Sequence, residues 1–217
     1  MNILRRLTEK PWLAPGVDPL TEADAEGLAA LPAAAVGLRV YFGVATIMFF
    51  LIGVVFVMRM GGHGLSTGQG PDWKPMYWPP LIWFNTGVLM LSSVAWEWAR
   101  DAALRGRREN MRTGLIAGGV LAFVFLAGQL TVWRQLEKAG CGITATTMSA
   151  FFYLITALHG LHLLGGLTVW GRTTAKVLAG KDAAEVKQSV DLCTIYWHFL
   201  LLVWLVMLAL LLSMATG

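Results

Sequence analysis

Five long apolar runs are the feature that most constrains how this chain folds. They cover about residues 38–58, 80–99, 114–133, 148–170 and 192–214. Each is close to the roughly 20 residues that an α-helix needs to cross a hydrocarbon core ~30 Å thick. Helices are expected rather than strands, because the runs are long and do not alternate apolar with polar residues. The sequence therefore predicts an all-α polytopic membrane protein, with a five-transmembrane-helix bundle over residues 38–217.

The composition favours the same class. Charged residues make up 14% of the chain, whereas a soluble domain usually has roughly one quarter. Ten tryptophans also suit a membrane, because indole rings favour the level of the headgroups. The net charge of +4 needs no nucleic-acid partner, since the basic residues fall in the loops.

Residues 1–37 differ from the rest and are predicted to form an N-terminal cytoplasmic arm. Four prolines interrupt the arm, and its middle is acidic. Residues 21–31 are predicted to form a short surface helix with Thr21 as its N-cap. No apolar h-region follows the basic start of the chain, so no cleavable signal peptide is expected.

The distribution of Lys and Arg predicts the orientation. The arm and the second and fourth loops hold 13 of these residues, against four in the first and third loops. Because cytoplasmic loops carry the excess of basic residues, the N-terminus is expected in the cytoplasm and the C-terminus outside. Cys141 and Cys193 then lie on opposite sides of the bilayer and are not expected to form a disulfide.

Ionisable groups inside a span are costly and are therefore functional candidates. Glu97 lies near the end of the second run and close to Arg100, where an interfacial carboxylate paired with Arg or with water is expected. His159 and His162 are three residues apart on one helix and share a face. His162 and His198 are expected at similar depths, which leaves two interpretations open. They either bond to neighbouring helices and lipid headgroups or supply the two axial ligands of a b-type haem.

The remaining polar and small residues of the spans indicate contacts between the helices. Asn85 and Gln129 are expected to bond across helices, and Gly114 with Gly118 forms a small-xxx-small face for close approach. No nucleophile–base pair, phosphate-binding loop or carboxylate dyad is visible in the sequence. A transporter or proton channel is disfavoured, because no span carries a chain of carboxylates.

Helices four and five carry a specific pair of motifs. Residues 151–162 read FFYLITALHGLH, and Tyr196-Trp197-His198-Phe199 follows on the next helix. With these motifs the chain resembles subunit III of the haem-copper oxidases, in the short five-helix bacterial form. The second and third helices agree, with Asn85-Thr86 and residues 125–129. The resemblance extends from about residue 38 to the C-terminus.

The resemblance implies an accessory subunit of a respiratory cytochrome c oxidase in the bacterial cytoplasmic membrane. In that family subunit III carries no haem and no copper, and no catalytic centre is expected in this chain. The family subunit packs on subunit I in a hetero-oligomer, binds structural phospholipid, and supports stability and proton uptake. Lipid or inter-helix contacts are therefore expected from five residues: His159, His162, Tyr196, Trp197 and His198.

Two departures from the family pattern qualify this expectation. Thr46 stands where the family usually has a membrane-buried Glu, and Leu201 stands where an Asp is common. Neither side chain carries a proton as a carboxylate does. An accessory subunit of a quinol oxidase or of nitric oxide reductase is therefore kept as an alternative, with a haem b anchor behind it.

Overall fold

The computed structural model describes residues 33–61, 78–180 and 183–215. Most of the predicted arm, including the helix proposed for residues 21–31, lies outside the described residues. The contact pattern divides the chain after Val40, so the packing below concerns residues from Tyr41 onward.

The described residues form five helices and no strand. Their bounds are α1 Ala33–Gly61, α2 Leu81–Leu104, α3 Arg108–Lys138, α4 Thr147–Leu178 and α5 Ala183–Ala215. Each covers one of the predicted apolar runs, except that Pro80 precedes α2, and each extends beyond its run. A helix rises about 1.5 Å per residue, so even the 24-residue α2 exceeds the hydrocarbon thickness. The predicted all-α membrane bundle is confirmed.

Among the described residues, four helices are long and apolar enough to cross a membrane, namely all except α2. The composition of α2 explains the difference. Asn85, Thr86, Ser92 and Ser93 reduce its hydropathy, and all four side chains are buried inside the bundle. Because these polar groups face other helices, they do not oppose the placement of α2 across the bilayer.

Successive helices run in opposite directions. The end of α1 lies beside the start of α4, where the rings of Phe56 and Phe151 are 5.2 Å apart. The end of α2 lies beside the start of α5, where Arg100 Nε donates to Asp191 Oδ1 at 2.6 Å. The second and fourth loops therefore lie at one end of the bundle, as the orientation prediction requires.

Gly106 makes the turn from α2 to α3. Its φ of 69° is in the left-handed region that favours glycine. Gly106 N–H donates to Ala103 O at 3.3 Å, and Arg107 N–H donates to Ala102 O at 2.9 Å. This is the Schellman pattern, which satisfies the last carbonyls of a helix. It lets α3 begin at Arg108, directly after the turn.

Small residues let α2 and α3 approach closely. A Cβ atom at Gly114 would lie 2.8 Å from Ala99 Cβ, and one at Gly118 would lie 2.8 Å from Trp96 Nε1. Both distances are below normal van der Waals separation, so side chains at these positions would push the helices apart. The predicted small-xxx-small face is confirmed.

One apolar cluster draws side chains from all five helices at the end opposite the second and fourth loops. Its members include Phe49 and Phe56 of α1, Ile82 of α2, Val132 of α3, Phe152 and Ile155 of α4, and Met207 and Leu211 of α5. Since lipid is as apolar as this cluster, packing and hydrogen bonding between helices must hold the bundle together. The candidate site residues lie among those contacts.

Candidate functional site

A buried polar seam joins α2 to α3 and α5. Asn85 Nδ2 donates to Gln129 Oε1 at 3.3 Å and to the carbonyl of Phe125 at 3.1 Å. Asn85 also lies directly over Gly128, in the space that a Cβ at that position would occupy. Trp204 Nε1 donates to Thr86 Oγ1 at 3.0 Å. The structure thus brings together the two residues expected to bond across helices.

His159 lies next to this seam. Its side chain is 1% exposed, and the Trp204 and Phe125 rings are 5.1 Å and 5.9 Å from the imidazole. Both ring nitrogens lack a hydrogen-bond partner among the described residues. His159 therefore links α4 to α3 and α5 by aromatic packing.

His162 faces a different helix, although it is only three residues away. Its ring lies 5.2 Å from Phe49 and 5.9 Å from Tyr41, both on α1. Its Nδ1 lies 2.7 Å from the carbonyl of Leu158, one turn earlier in α4. Both histidines lie on the side of α4 that faces the bundle, but His159 packs against α3 and α5 whereas His162 packs against α1.

Tyr196 closes the contact between α1, α4 and α5. Its hydroxyl donates to the carbonyl of His162 at 2.6 Å and lies 3.2 Å from the Tyr41 hydroxyl. The ring packs on Gly166, where an added Cβ would lie 2.5 Å from Tyr196 Cε1. Tyr196 is therefore placed for an inter-helix contact.

Trp197 also has its neighbours inside the bundle. Its indole stacks on Trp96 of α2 with centroids 5.2 Å apart and an interplanar angle of 12°. Only 2% of the residue is exposed. This burial leaves no outward surface for a lipid, so the contact is one between α2 and α5.

His198 is the one of the five candidates whose side chain lies exposed on the outside of the bundle. Its side chain is 46% exposed, and its Nε2 lies 3.9 Å from Glu97 Oε2. Glu97 also pairs with Arg100 at 3.4 Å, which confirms the role expected for this carboxylate. Arg100 bonds in turn to Asp191, and this hydrogen bond with the adjacent negative charge raises the pKa of the guanidinium. The result is a half-exposed charged cluster at the end where the second and fourth loops lie.

A haem held by His162 and His198 does not fit this geometry. His162 packs against aromatic rings of α1, whereas His198 lies beside Glu97 of α2. Axial ligation needs two imidazoles that face each other across one plane. Within the described ranges, no three or more His, Cys, Asp or Glu side chains group closely enough to hold a metal ion.

The two positions that depart from the family pattern have different surroundings. Thr46 is exposed on α1 and faces outward from the bundle, while Leu201 of α5 is partly buried. A carboxylate lost at position 46 is therefore lost from the outer surface, not from the interior. Cys141 and Cys193 are both free thiols, the first partly exposed and the second buried.

Several contacts were not predicted from the sequence. The Trp96–Trp197 stack and the Tyr41–Tyr196 contact join helices that are far apart in the chain. The Arg100–Asp191 ion pair joins α2 to α5. Asp191 lies directly before the fifth apolar run. Ionisable residues at the membrane usually pair with an opposite charge, and this tendency could have indicated that Asp191 has a basic partner.

Comparison with known proteins identifies the family. The family described as Cytochrome c oxidase subunit III matches residues 29–214. The cytochrome c oxidase subunit 3 of Thermostichus vulcanus is 26% identical over 176 residues, which cover 81% of this chain and 84% of the relative. The probable cytochrome c oxidase subunit 3 of Nocardia farcinica is 26% identical over 161 residues, covering 73% and 77%. The cytochrome c oxidase subunit 3 of Carassius auratus is 26% identical over 163 residues, which cover 73% of this chain and 61% of the relative.

The match covers all five helices, including the histidine motifs of α4 and α5. The chain therefore belongs to the cytochrome c oxidase subunit III family and is an accessory, multi-pass membrane subunit of a hetero-oligomeric haem-copper oxidase complex.

Proposed function

We propose that this chain packs directly on the catalytic subunit I of a proton-pumping bacterial oxidase and stabilises it without redox chemistry of its own. Haem and copper then belong to the partner subunits. The observation that supports this proposal most strongly is the packing of the two histidine side chains of α4. His159 and His162 are enclosed by aromatic side chains of neighbouring helices, an arrangement that suits scaffolding better than ligation.

The surface of the bundle supports a role in assembly. Large apolar side chains of α1 point away from the other helices, among them Val44, Ile47, Phe50 and Leu51. In a membrane protein such a surface meets either lipid or another subunit. Subunit I is the partner that we propose for part of it.

We place the N-terminus in the bacterial cytoplasm, because the basic loops lie at one end of the bundle. Support for proton uptake is then indirect, since neither Thr46 nor Leu201 carries a proton. The chain acts by holding the catalytic subunit in its competent structure. Loss of the chain is expected to shorten the time for which the oxidase stays active during turnover.

Affinity purification tests this function. A tagged chain is purified in mild detergent, its partners are identified by mass spectrometry, and a reduced-minus-oxidised spectrum is recorded. We expect a haem-copper catalytic subunit to co-purify with all haem assigned to it. A chain that purifies alone with its own haem spectrum would overturn the proposal. The identity of the partner also separates an oxygen-reducing oxidase from a quinol oxidase or a nitric oxide reductase.

We further propose that a structural phospholipid contacts the outward face of α5 at His198. The His198→Ala variant is expected to retain less phospholipid per complex with an unchanged haem spectrum, because a polar partner of the headgroup is removed. Gln188→Ala, a change at another exposed position of the same helix, is the matched control. Equal phospholipid content in His198→Ala, the control and the wild type would refute this contact.

A further inference from the structure

A cavity of about 610 Å³ opens where four helices meet at the end that carries the second and fourth loops. Its walls are the last turn of α2, the Gly106 turn, the first turn of α3, the last turn of α4 and the start of α5. Its volume lies within the range of roughly 300–1,000 Å³ typical of small-molecule sites. The motifs of α4 and α5 lie elsewhere, so this cavity is separate from the contacts described above.

Positive charge dominates the rim. Arg105, Arg107, Arg108, Arg112 and Lys187 all line the cavity, and Glu109 is the one acidic residue among the lining positions described. Two of the arginines already have partners. Arg105 pairs with Asp101 at 3.0 Å and Arg112 with Glu109 at 3.7 Å.

The other three basic residues have no carboxylate partner in the part of the chain that the structure describes. Arg107 and Arg108 stand next to each other at the junction of turn and helix, and Lys187 approaches from α5. The Schellman turn at Gly106 fixes this junction. Two neighbouring guanidinium groups with free donors are suited to binding phosphate oxygens, since each presents a planar fork of N–H groups.

Beneath the rim the lining is apolar. Ala102, Ala103, Met111 and Val186 line the cavity and are all buried. A cavity with an apolar base and a cationic rim matches an amphiphile, whose hydrocarbon lies in the base and whose anionic group lies at the rim. An inorganic anion would use only the rim.

We propose that this cavity binds the phosphate group of an anionic phospholipid, with Arg107 and Arg108 as its principal ligands. The excess of basic residues in cytoplasmic loops explains their presence on this side, but not their collection around an apolar-based cavity. The site is distinct from the contact proposed at His198. The inference rests on the proposed function only because its test uses the assembled oxidase.

The test measures binding to the assembled complex after delipidation in mild detergent. Three probes are compared: a short-chain phosphatidylglycerol, phosphatidylcholine of the same chain length, and inorganic phosphate. The double variant Arg107→Gln/Arg108→Gln removes the two ligands, and both side chains are exposed, so the fold is not at risk. Arg172→Gln, an exposed arginine near the end of α4 that does not line the cavity, controls for loss of charge alone.

We expect the complex to bind phosphatidylglycerol more tightly than phosphatidylcholine. The double variant should bind it roughly 30-fold more weakly, since each basic residue near an anionic surface contributes about a factor of five to the affinity. Arg172→Gln should bind as the wild type does. Inorganic phosphate that binds as tightly, with the same sensitivity to the double variant, would identify a free phosphate site instead of a lipid site.

Equal phosphatidylglycerol binding by the double variant and the wild type would overturn the inference. Equal weakening by Arg172→Gln would overturn it too, because general surface charge would then account for the effect. Neither result affects the proposed function, which is decided by whether the catalytic subunit co-purifies. If the proposed function is wrong, the affinity purification itself shows this, because no catalytic subunit co-purifies with the tagged chain.

Discussion

Single glycines set how closely the helices approach, and Gly119 is the tightest case next to an aromatic ring. The indole of Trp170 lies over it, in the space that a Cβ atom would occupy. From this position Trp170 Nε1 donates to the carbonyl of Leu115 at 2.9 Å. The glycine therefore permits both the packing of α4 on α3 and the hydrogen bond that fixes it.

Gly119→Ala is expected to destabilise the protein by about 1–3 kcal/mol, because the methyl group overpacks a filled contact. The measurement is thermal unfolding in detergent, followed by tryptophan fluorescence. Gly87→Ala in α2 is the matched control, since a Cβ there meets open space and alanine favours a helix over glycine. The same loss of stability in both variants would contradict the close contact at Gly119.

At the scale of elements, few polar contacts hold α5 against α2. Thr194 Oγ1 lies 3.3 Å from the carbonyl of Trp96 in the interior. Arg100 binds Asp191 at 2.6 Å near the loop end, where both side chains are about 40% exposed. Water screens this pair, so its contribution to stability is modest despite the short distance.

Arg100→Gln and Asp191→Asn are each expected to cost no more than about 1 kcal/mol of unfolding free energy. If the two groups act as a pair, the double variant should lose little more than either single variant. A double-mutant cycle of unfolding free energies measures this coupling. Fully additive losses would show that the two side chains act independently.

For the whole molecule, the alternating direction of the helices places all the basic loops described at one end. The opposite end carries the turn after α3 and Cys141, which is partly exposed, whereas Cys193 is 1% exposed inside the bundle. The two native thiols therefore provide one accessible probe of orientation without any engineering.

A membrane-impermeant maleimide added to intact cells is expected to label this chain at Cys141, because the proposed orientation places the turn after α3 outside. Cys141→Ser should abolish the label, and Cys193→Ser should leave it unchanged. Mass measurement of the purified chain provides the readout. Labelling that occurs only in inside-out vesicles would reverse the proposed orientation.

The motif residues show how far sequence reasoning reaches. The spacing of His159 and His162 indicates one broad face of α4, and the structure agrees. Residues three apart nevertheless differ by about 60° around the axis, which is enough to place one ring against Trp204 and the other against Phe49. The sequence did not indicate which side chain Trp197 meets, and the structure stacks it on Trp96 of α2.

The sequence by itself determined the properties that are local in the chain. These are the five apolar helices, the small-residue face of Gly114 and Gly118, and the loops that carry basic charge. Hydropathy, side-chain volume and charge belong to each segment, so they can be read without knowing its neighbours. The family motifs are likewise contiguous stretches of sequence.

Only the tertiary structure decided which groups meet. The stack of Trp96 on Trp197, the pairing of Arg100 with Asp191 and the cationic rim of the cavity join segments separated by about 80 to 100 residues. Such contacts depend on the rotation and crossing angle of each helix, which are set by ridges and grooves on both partners at once. No single segment contains that information, so it appears only when the helices are packed.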